Sequence, residues 1–465
     1  MKGPPPMRTV VLVDGDHHPP VTRWAIEVAV SRGHDVAGAV FVGGSEKIEP
    51  GSLPDLGVPT RAAGSDRMAA LGAAIDEWTP EIVLDLSDEP ILGYRERMEL
   101  AAIALCRGVP YVGPDFRLEP PAQADAVDAP TLAVIGTGKR TGKTAISGEV
   151  ARHAARRGLD PVVVAMGRGG PAEPQVAEAG AVDLAKLREI VRGGEHAASD
   201  FLEGALTTGV TTIGARRAGG GLAGAPYATN VVEAAALAAS RRPGLIVLEG
   251  SGAAIPPMAW DAAVLVVPVA APPEYLGGYL GPYRLLRSDL VVVTMAGSPS
   301  RGLENLPALR SHVRRFLDDA RLLITDFIPV PLADVQGARV FFATTATKDV
   351  AVRQVEHLQA TSDCTVVGWS ARLADRAGLV EDLDAAQGYD VLLTELKAAA
   401  VDVGVERALA RGAEVVFVDN RATVVEGSND LDTALGEIVD LARSRADERA
   451  KEPANKPAKE RGGKP

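Results

Sequence analysis

The sequence predicts an α/β protein built from parallel sheets flanked by helices, and three observations predict it. Apolar runs of about five to seven residues recur along the chain, each followed by a stretch of helical periodicity, which is the rhythm of repeated βαβ units. Aromatic residues make up only 4% while alanine, glycine, valine and leucine abound, as in sheets covered on both faces. A glycine-rich turn at residues 136–144 stands between one such run and the helical stretch after it.

At 465 residues the chain has room for about three domains, or two with one enlarged. Residues 9–13 form the first predicted strand, followed by a helix at 20–32, strands at 36–42 and 82–86, a helix at 94–107 and a short strand at 110–112. Together they predict a Rossmann-like N-terminal domain over 7–120. Residues 119–130 read EPPAQADAVDAP, proline-bearing and without periodicity, and are expected to be a linker. A doubly wound sheet is expected over 131–335, with strands at 131–135, 161–165, 244–248, 263–267 and 290–294 and long glycine-rich loops between 166 and 230. Strands at 340–343, 365–368, 391–395 and 414–418 make a further C-terminal α/β region over 336–445. The pattern leaves open whether that region extends the second sheet. The polar tail 446–465 is expected to be disordered.

Charge and composition remove several function classes. The formal charge of −12 argues against a nucleic-acid binder, which carries a basic face. Cys106 and Cys364 are the only cysteines, too few for a disulfide framework or a four-cysteine zinc site, and point to a reducing cytoplasm. No apolar run approaches the ~18 residues of a membrane span, and the amino terminus lacks a signal-peptide core.

The turn at 136–144 carries the strongest motif: Gly136, Thr137, Gly138, Lys139, Arg140, Thr141, Gly142, Lys143 and Thr144. Strand, glycine-rich loop and helix in that order cradle a nucleotide β-phosphate on backbone N–H groups at the positive end of a helix. Lys143 is expected to bridge β- and γ-oxygens, and the Thr144 hydroxyl to ligate Mg²⁺. The second domain is therefore read as a P-loop NTPase sheet. The first glycine lies one place early, at 136 rather than 137, a displacement shared with dethiobiotin synthetase, which the loop resembles. A metal needs an acid at a neighbouring strand end, and Glu249 follows four apolar residues at 245–248 in a segment similar to the VEGAGG of that enzyme. No Asn-Lys-x-Asp element follows the strand at 290–294, where the chain reads VTMAG, so guanine is disfavoured and ATP expected.

Further anion-binding candidates lie at other strand ends. Arg168, flanked by glycines in AMGRGGPAEP, can approach an anion bidentately. Arg216 and Arg217 sit beside Gly219, Gly220 and Gly221, and His196 and Asp200 fall four apart in GEHAASD. In the first domain His17 follows the first strand within DGDHHPP, where open α/β sheets hold ligands. Lys397 occupies a comparable strand end in TELK. No Gly-x-Ser-x-Gly elbow or HExxH motif is present, so hydrolase triads and zinc chemistry lose support.

With these residues assembled, the chain over about 7–430 resembles the cyclic 2,3-diphosphoglycerate synthetase family, on DGDHHPPVTRW, FVGGSEK, DLSDEP, GVPYVGPDF, GTGKRTGKT, AMGRGGPAEP, GEHAASD, ARRAGGGLAGAP, LEGSGAAIPP, VFFATTA and TELKAAAVDV. The resemblance implies closure of an intramolecular phosphoanhydride between the two phosphates of 2,3-diphosphoglycerate, with ATP converted to ADP and phosphate. A small polyanionic substrate would need more cations than Lys143 and one metal supply, which directs attention to Arg168, Arg216 and Arg217, with His196, His17 and Lys397 as further substrate contacts. Lys143 and Arg168 are the expected catalytic pair, and a homodimer is expected by analogy with ATPases of this class. Two other readings stay open: a P-loop kinase or ligase acting on another small phosphorylated or carboxylate acceptor, and a nucleotide-dependent switch that binds a protein partner.

Overall fold

A computed structural model describes residues 5–48, 52–194, 197–297, 302–318, 321–427 and 430–451. The chain packs as two units. The first contains the described residues up to Ala122 together with Pro272–Ser288. Its sheet is formed by β1 (Met7–Val13), β2 (His34–Phe41), β3 (Thr60–Ala62), β4 (Ile82–Asp85), β5 (Tyr111–Val112) and β6 (Arg117–Leu118), ordered β3-β2-β1-β4-β5-β6. All neighbours are parallel except the β5/β6 pair. Val10 to Val13 are wholly buried because helices cover both faces of β1. The segment Pro272–Ser288 packs with this unit rather than with the sheet it interrupts, burying Leu276, Leu280, Tyr283 and Leu285.

The second unit is built on β7 (Thr131–Gly136), β8 (Pro161–Gly167), β9 (Gln175–Ala177), β10 (Thr212–Ala218), β11 (Ala228–Thr229), β12 (Leu245–Glu249), β13 (Ala262–Pro268), β14 (Leu290–Thr294), β15 (Leu322–Pro331), β16 (Arg339–Ala343), β17 (Thr365–Ser370), β18 (Val391–Glu395) and β19 (Glu414–Gly427). Among the described residues they form one 13-stranded sheet, in the order β11-β10-β8-β12-β7-β13-β14-β15-β19-β18-β16-β17 with β9 beside β10. From β10 to β15 and from β19 to β17 the sheet is parallel, and the two stretches meet in the antiparallel pair β15/β19. The question that periodicity left open is thus answered: residues 339–427 continue the sheet of the phosphate loop.

Strands β7, β8, β12 and β14 are buried along their whole length, which is why they read as continuous apolar runs rather than alternating ones. Behind them the helix Leu431–Lys451 closes the core, packing Leu435, Ile438, Val439 and Ala442 against Ile146, Val150 and the strand side chains. The tail expected to be disordered from 446 is therefore corrected: the helix runs to Lys451 and buries Ala446. The physical reason is a pair of arginines one turn apart. Arg445 donates to the Asp261 carbonyl and pairs with Asp289, while Arg449 makes two hydrogen bonds of 3.0 and 3.1 Å to the Asp261 carboxylate and two more to the Val127 and Ala129 carbonyls. Asp261 also accepts from the Thr131 amide and hydroxyl, so one buried carboxylate joins the starts of β7 and β13 to this helix. The rest of the predicted tail lies outside the described residues.

A second tie lies at the opposite end of the strands. The helix Asp200–Thr208 packs Phe201 and Leu202 in one cluster with Leu396 and Phe417, and Glu203 Oε1 lies 3.3 Å from Lys397 Nζ. Burial pushes the Glu203 carboxyl up to about 7, against the pull of Lys397. Among the described residues no helix is long and apolar enough to cross a membrane.

Arg449→Ala is expected to lower unfolding stability by about 2 kcal/mol, because it removes charge-assisted hydrogen bonds from a buried carboxylate; urea denaturation measures it. Glu203 binds its proton more tightly in the folded chain than at its ordinary value of 4.5, so its ionisation makes stability fall as pH rises from about 4.5 to about 7. In Glu203→Gln that slope is expected to flatten by about 3 kcal/mol in total, read from denaturation midpoints at either end of the interval.

Candidate active site at the phosphate loop

Strand β7 ends at the buried Gly136, and the helix Lys143–Arg156 begins seven residues later. The turn between them closes through left-handed backbone at Arg140 (φ 55°) and Gly142 (φ 92°). A side chain is impossible at 142, since a Cβ there would lie 2.5 Å from the Phe327 ring. The early glycine now has a reason. A Cβ at 136 would stand 2.9 Å from Thr141 Oγ1 and 3.1 Å from Lys143 Cδ, so the bare residue 136 opens the path along which Lys143 crosses the strand end. The amides of the first helical turn have no carbonyl four residues back to bond, and together with the positive end of the helix dipole they form an anion-binding surface.

Lys143 is buried, with Nζ donating to the Gly138 carbonyl (2.8 Å) and to Thr141 Oγ1 (3.2 Å). Thr144 Oγ1 donates to Glu249 Oε1 at 2.6 Å, so the hydroxyl and the strand-end carboxylate expected to share a metal are in direct contact. Both charges are unsettled by the dry site. Burial lowers the Lys143 pKa, with Arg217 and Arg168 adding to the shift, and burial followed by the charge of Asp200 raises that of Glu249. Among the described residues no cluster of three or more His, Cys, Asp or Glu side chains surrounds a metal position, so an ion here would draw its remaining ligands from phosphate and water.

Two strands away, a pocket of about 520 Å³ is lined by Arg168, Arg217, Ala218, Gly219, Gly220, Gly221, Ala253 and Ala254. The two guanidiniums converge over Gly252: a Cβ there would meet Arg217 Nη2 at 2.9 Å and Arg168 Nη2 at 3.0 Å. Arg217 is only 9% exposed and is held by the carbonyls of Gly219 (2.6 Å) and Ser251 (2.8 Å). Arg168 is exposed at the mouth. Burial lowers the Arg217 pKa, and the nearby Arg168 lowers it further, so an anion in the pocket relieves a repulsion already present.

The remaining candidates separate. Arg216 and Arg217 were expected to act together, but successive residues of a strand face opposite sides. Arg216 turns away from the pocket, exposed, with Nε donating to the Gly170 carbonyl and its amide donating to Asn230. Lys397 is not an open cation. Although burial works against its charge, Glu203 and then Glu395 hold its pKa above the ordinary value. His17 belongs to the first unit, where Nδ1 donates at 2.9 Å to the buried Asp14 carboxylate, which also accepts from the amides of Asp16 and Asp88 and so joins the loops after β1 and β4. His196 lies outside the described residues. Lys139 and Arg140 are exposed at the loop tip. Asp200 and Gly252 carry more than the sequence suggested. Asp200 opens its helix with Oδ2 3.4 Å from where a Cβ at Gly167 would be, and its charge acts on Lys143, Glu249 and Arg217.

Comparison with known proteins finds matches along most of the chain. Family models described as cyclic 2,3-diphosphoglycerate synthetase match as an N-terminal domain over residues 8–119, a P-loop domain over 131–325 and a C-terminal domain over 331–421. The cyclic 2,3-diphosphoglycerate synthetase of Rubrobacter xylanophilus is 46% identical over 442 residues, covering 94% of this chain and 98% of that protein. That of Methanothermobacter thermautotrophicus is 39% identical over 445 residues, covering 93% and 96%. Among solved structures, LpxK from Aquifex aeolicus in complex with ATP overlays 68% of this chain and 90% of its own with a TM-score of 0.39 and 13% identity, a distant likeness. With three matching domain models in sequence and relatives aligned over nearly their full length, the chain belongs to the cyclic 2,3-diphosphoglycerate synthetase family.

Proposed function

We propose that this chain uses ATP to close 2,3-diphosphoglycerate into its cyclic phosphoanhydride, releasing ADP and phosphate. The observation that carries the reading is the pairing, on one edge of one sheet, of a phosphate loop with a diarginine pocket. An oxygen of one substrate phosphate attacks the γ-phosphorus and ADP departs, leaving a pyrophosphoryl group on the substrate. The second substrate phosphate then attacks the carbon-linked phosphorus of that group, forming the ring P–O–P bond and expelling inorganic phosphate. Atoms and charge balance without a redox partner.

Such transfers ask the protein for positioning and charge neutralisation more than for covalent work. Lys143 follows the γ-phosphate charge, exchanging its present bonds to Gly138 and Thr141 for phosphate oxygens. Arg217 fixes the acceptor from the pocket floor, pre-oriented by two carbonyls, and Arg168 at the mouth faces the oxygens nearest the transfer. Thr144 and Glu249 would hold Mg²⁺, which would supply positive charge to polarise the transferred phosphate. The donor set suits that ion: a hydroxyl touching a buried carboxylate whose proton a cation would readily displace.

Phosphorus NMR of the glycerate product from ATP and 2,3-diphosphoglycerate is expected to show two coupled anhydride signals with no terminal partner; a glycerate product that carries a terminal phosphoryl signal, apart from that of ADP, refutes ring closure. Lys143→Ala should lower kcat by about 10²–10³-fold, the scale of losing one preorganised group at developing charge, as measured by ADP release. Arg217→Ala, and Gly252→Ala through displacement of both guanidiniums, should raise KM for the acceptor by about tenfold or more while the ATP Kd in a direct titration stays unchanged.

A further inference from the structure

On the nucleotide reading above, the sheet has a polarity that locates the rest of the nucleotide. Glu249 on β12 and the diarginine pocket beside β8 and β10 all lie on one side of β7 in strand order. A triphosphate whose terminal group faces that side sends its nucleoside toward β13, β14 and β15. The end of β14 and the middle of β15 border the loop there: Thr294 Oγ1 donates at 2.7 Å to the Thr141 carbonyl, and the Phe327 ring packs on Gly142.

Two features stand out in this region. Met295, directly after the wholly buried β14, is 36% exposed and held in the left-handed region at φ 59°, a strained state for a residue with a side chain. Next to Phe327, the Asp326 carboxylate reaches back over the end of β14. A Cβ at Gly297 would fall 1.8 Å from Asp326 Oδ2, so the carboxylate occupies space that only glycine leaves empty. The same oxygen takes a 3.2 Å ion pair from Arg353 Nη1, and an ionised carboxylate so engaged keeps acceptor capacity but offers no donor.

The geometry points to a base-recognition site where β14 ends beside the middle of β15, in which Asp326 accepts a hydrogen bond from the 6-amino group of adenine and Met295 supports the face of the ring. It takes the place of the missing Asn-Lys-x-Asp element with one residue just past the end of β14 and one from the middle of β15.

The test compares ATP, purine riboside triphosphate (the same nucleotide without the 6-amino group) and inorganic tripolyphosphate in equilibrium titrations of the full chain. The wild type should prefer ATP over purine riboside triphosphate by about tenfold or more, the scale of a hydrogen bond to a charged acceptor. Asp326→Ala should bring that ratio close to one while tripolyphosphate affinity holds, which also reports an intact loop. Met295→Ala should weaken both nucleotides equally. Equal binding of the two nucleotides by the wild type overturns the inference whether or not a variant folds, and leaves the nucleotide reading standing. A ratio that survives Asp326→Ala overturns it as well. Failure of all three ligands to bind removes the nucleotide reading and this site with it.

Discussion

Lys143 can cross the end of β7 only because residue 136 has no side chain, and the chemistry of the molecule rests on that opening. The loop above it is held from three directions. Thr294 grips the Thr141 carbonyl, Phe327 fills the space beside Gly142, and Glu249 anchors the hydroxyl of Thr144. Each contact comes from a different strand, two of them at strand ends and Phe327 from the middle of β15, so the rigidity of the sheet passes directly to the loop. A cradle of this kind needs little rearrangement when charge develops on a bound phosphate, which is the condition under which fixed dipoles act most strongly.

The electrostatics around the loop are poised rather than balanced. Lys143 and Glu249 are both drawn toward neutrality by burial, and Arg168 and Arg217 lie close enough to disfavour one another. A polyanion satisfies the cations and a divalent ion satisfies the acid, so on the proposed reaction the two reactants complete an arrangement that is uncomfortable without them. Arginine suits the pocket better than lysine would, because a guanidinium keeps its charge when buried whereas an ammonium yields its proton. Lys397, which sequence position alone made a rival ligand, is committed to Glu203 and Glu395 and helps to seat the helix Asp200–Thr208.

Most of the parallel framework was legible because buried parallel strands are written as unbroken apolar runs, and the loop because its glycines, lysine and threonine are dictated by phosphate geometry. Less visible was whatever depends on which side of a strand a residue faces. Arg216 and Arg217 look equivalent in sequence, yet a period of two places one in the pocket and the other outside it. The strand Thr60–Ala62 and the helix Arg67–Trp78 lie in a stretch of weak periodicity that hides them, although Asp66, which caps the helix by accepting from the Ala69 amide, offers a local signal. Phe327 and Gly252 gave none, since each matters only through neighbours remote in sequence, Gly142 for the first and Arg168 and Arg217 for the second. The end of the chain was misread because composition hides the targets of Arg445 and Arg449, the partners Asp261 and Asp289 being supplied by the tertiary fold.

That closing helix has a consequence for biosynthesis. Residues 431–451 finish the hydrophobic interior beneath strands that emerge from the ribosome some three hundred residues earlier, β7 beginning at Thr131. Because chains are made from the amino end at about 5–20 residues per second, the nucleotide-binding layer waits on the order of tens of seconds for its cover. During that interval a prematurely terminated polypeptide would expose an unfinished apolar face, a mark by which quality control could recognise it.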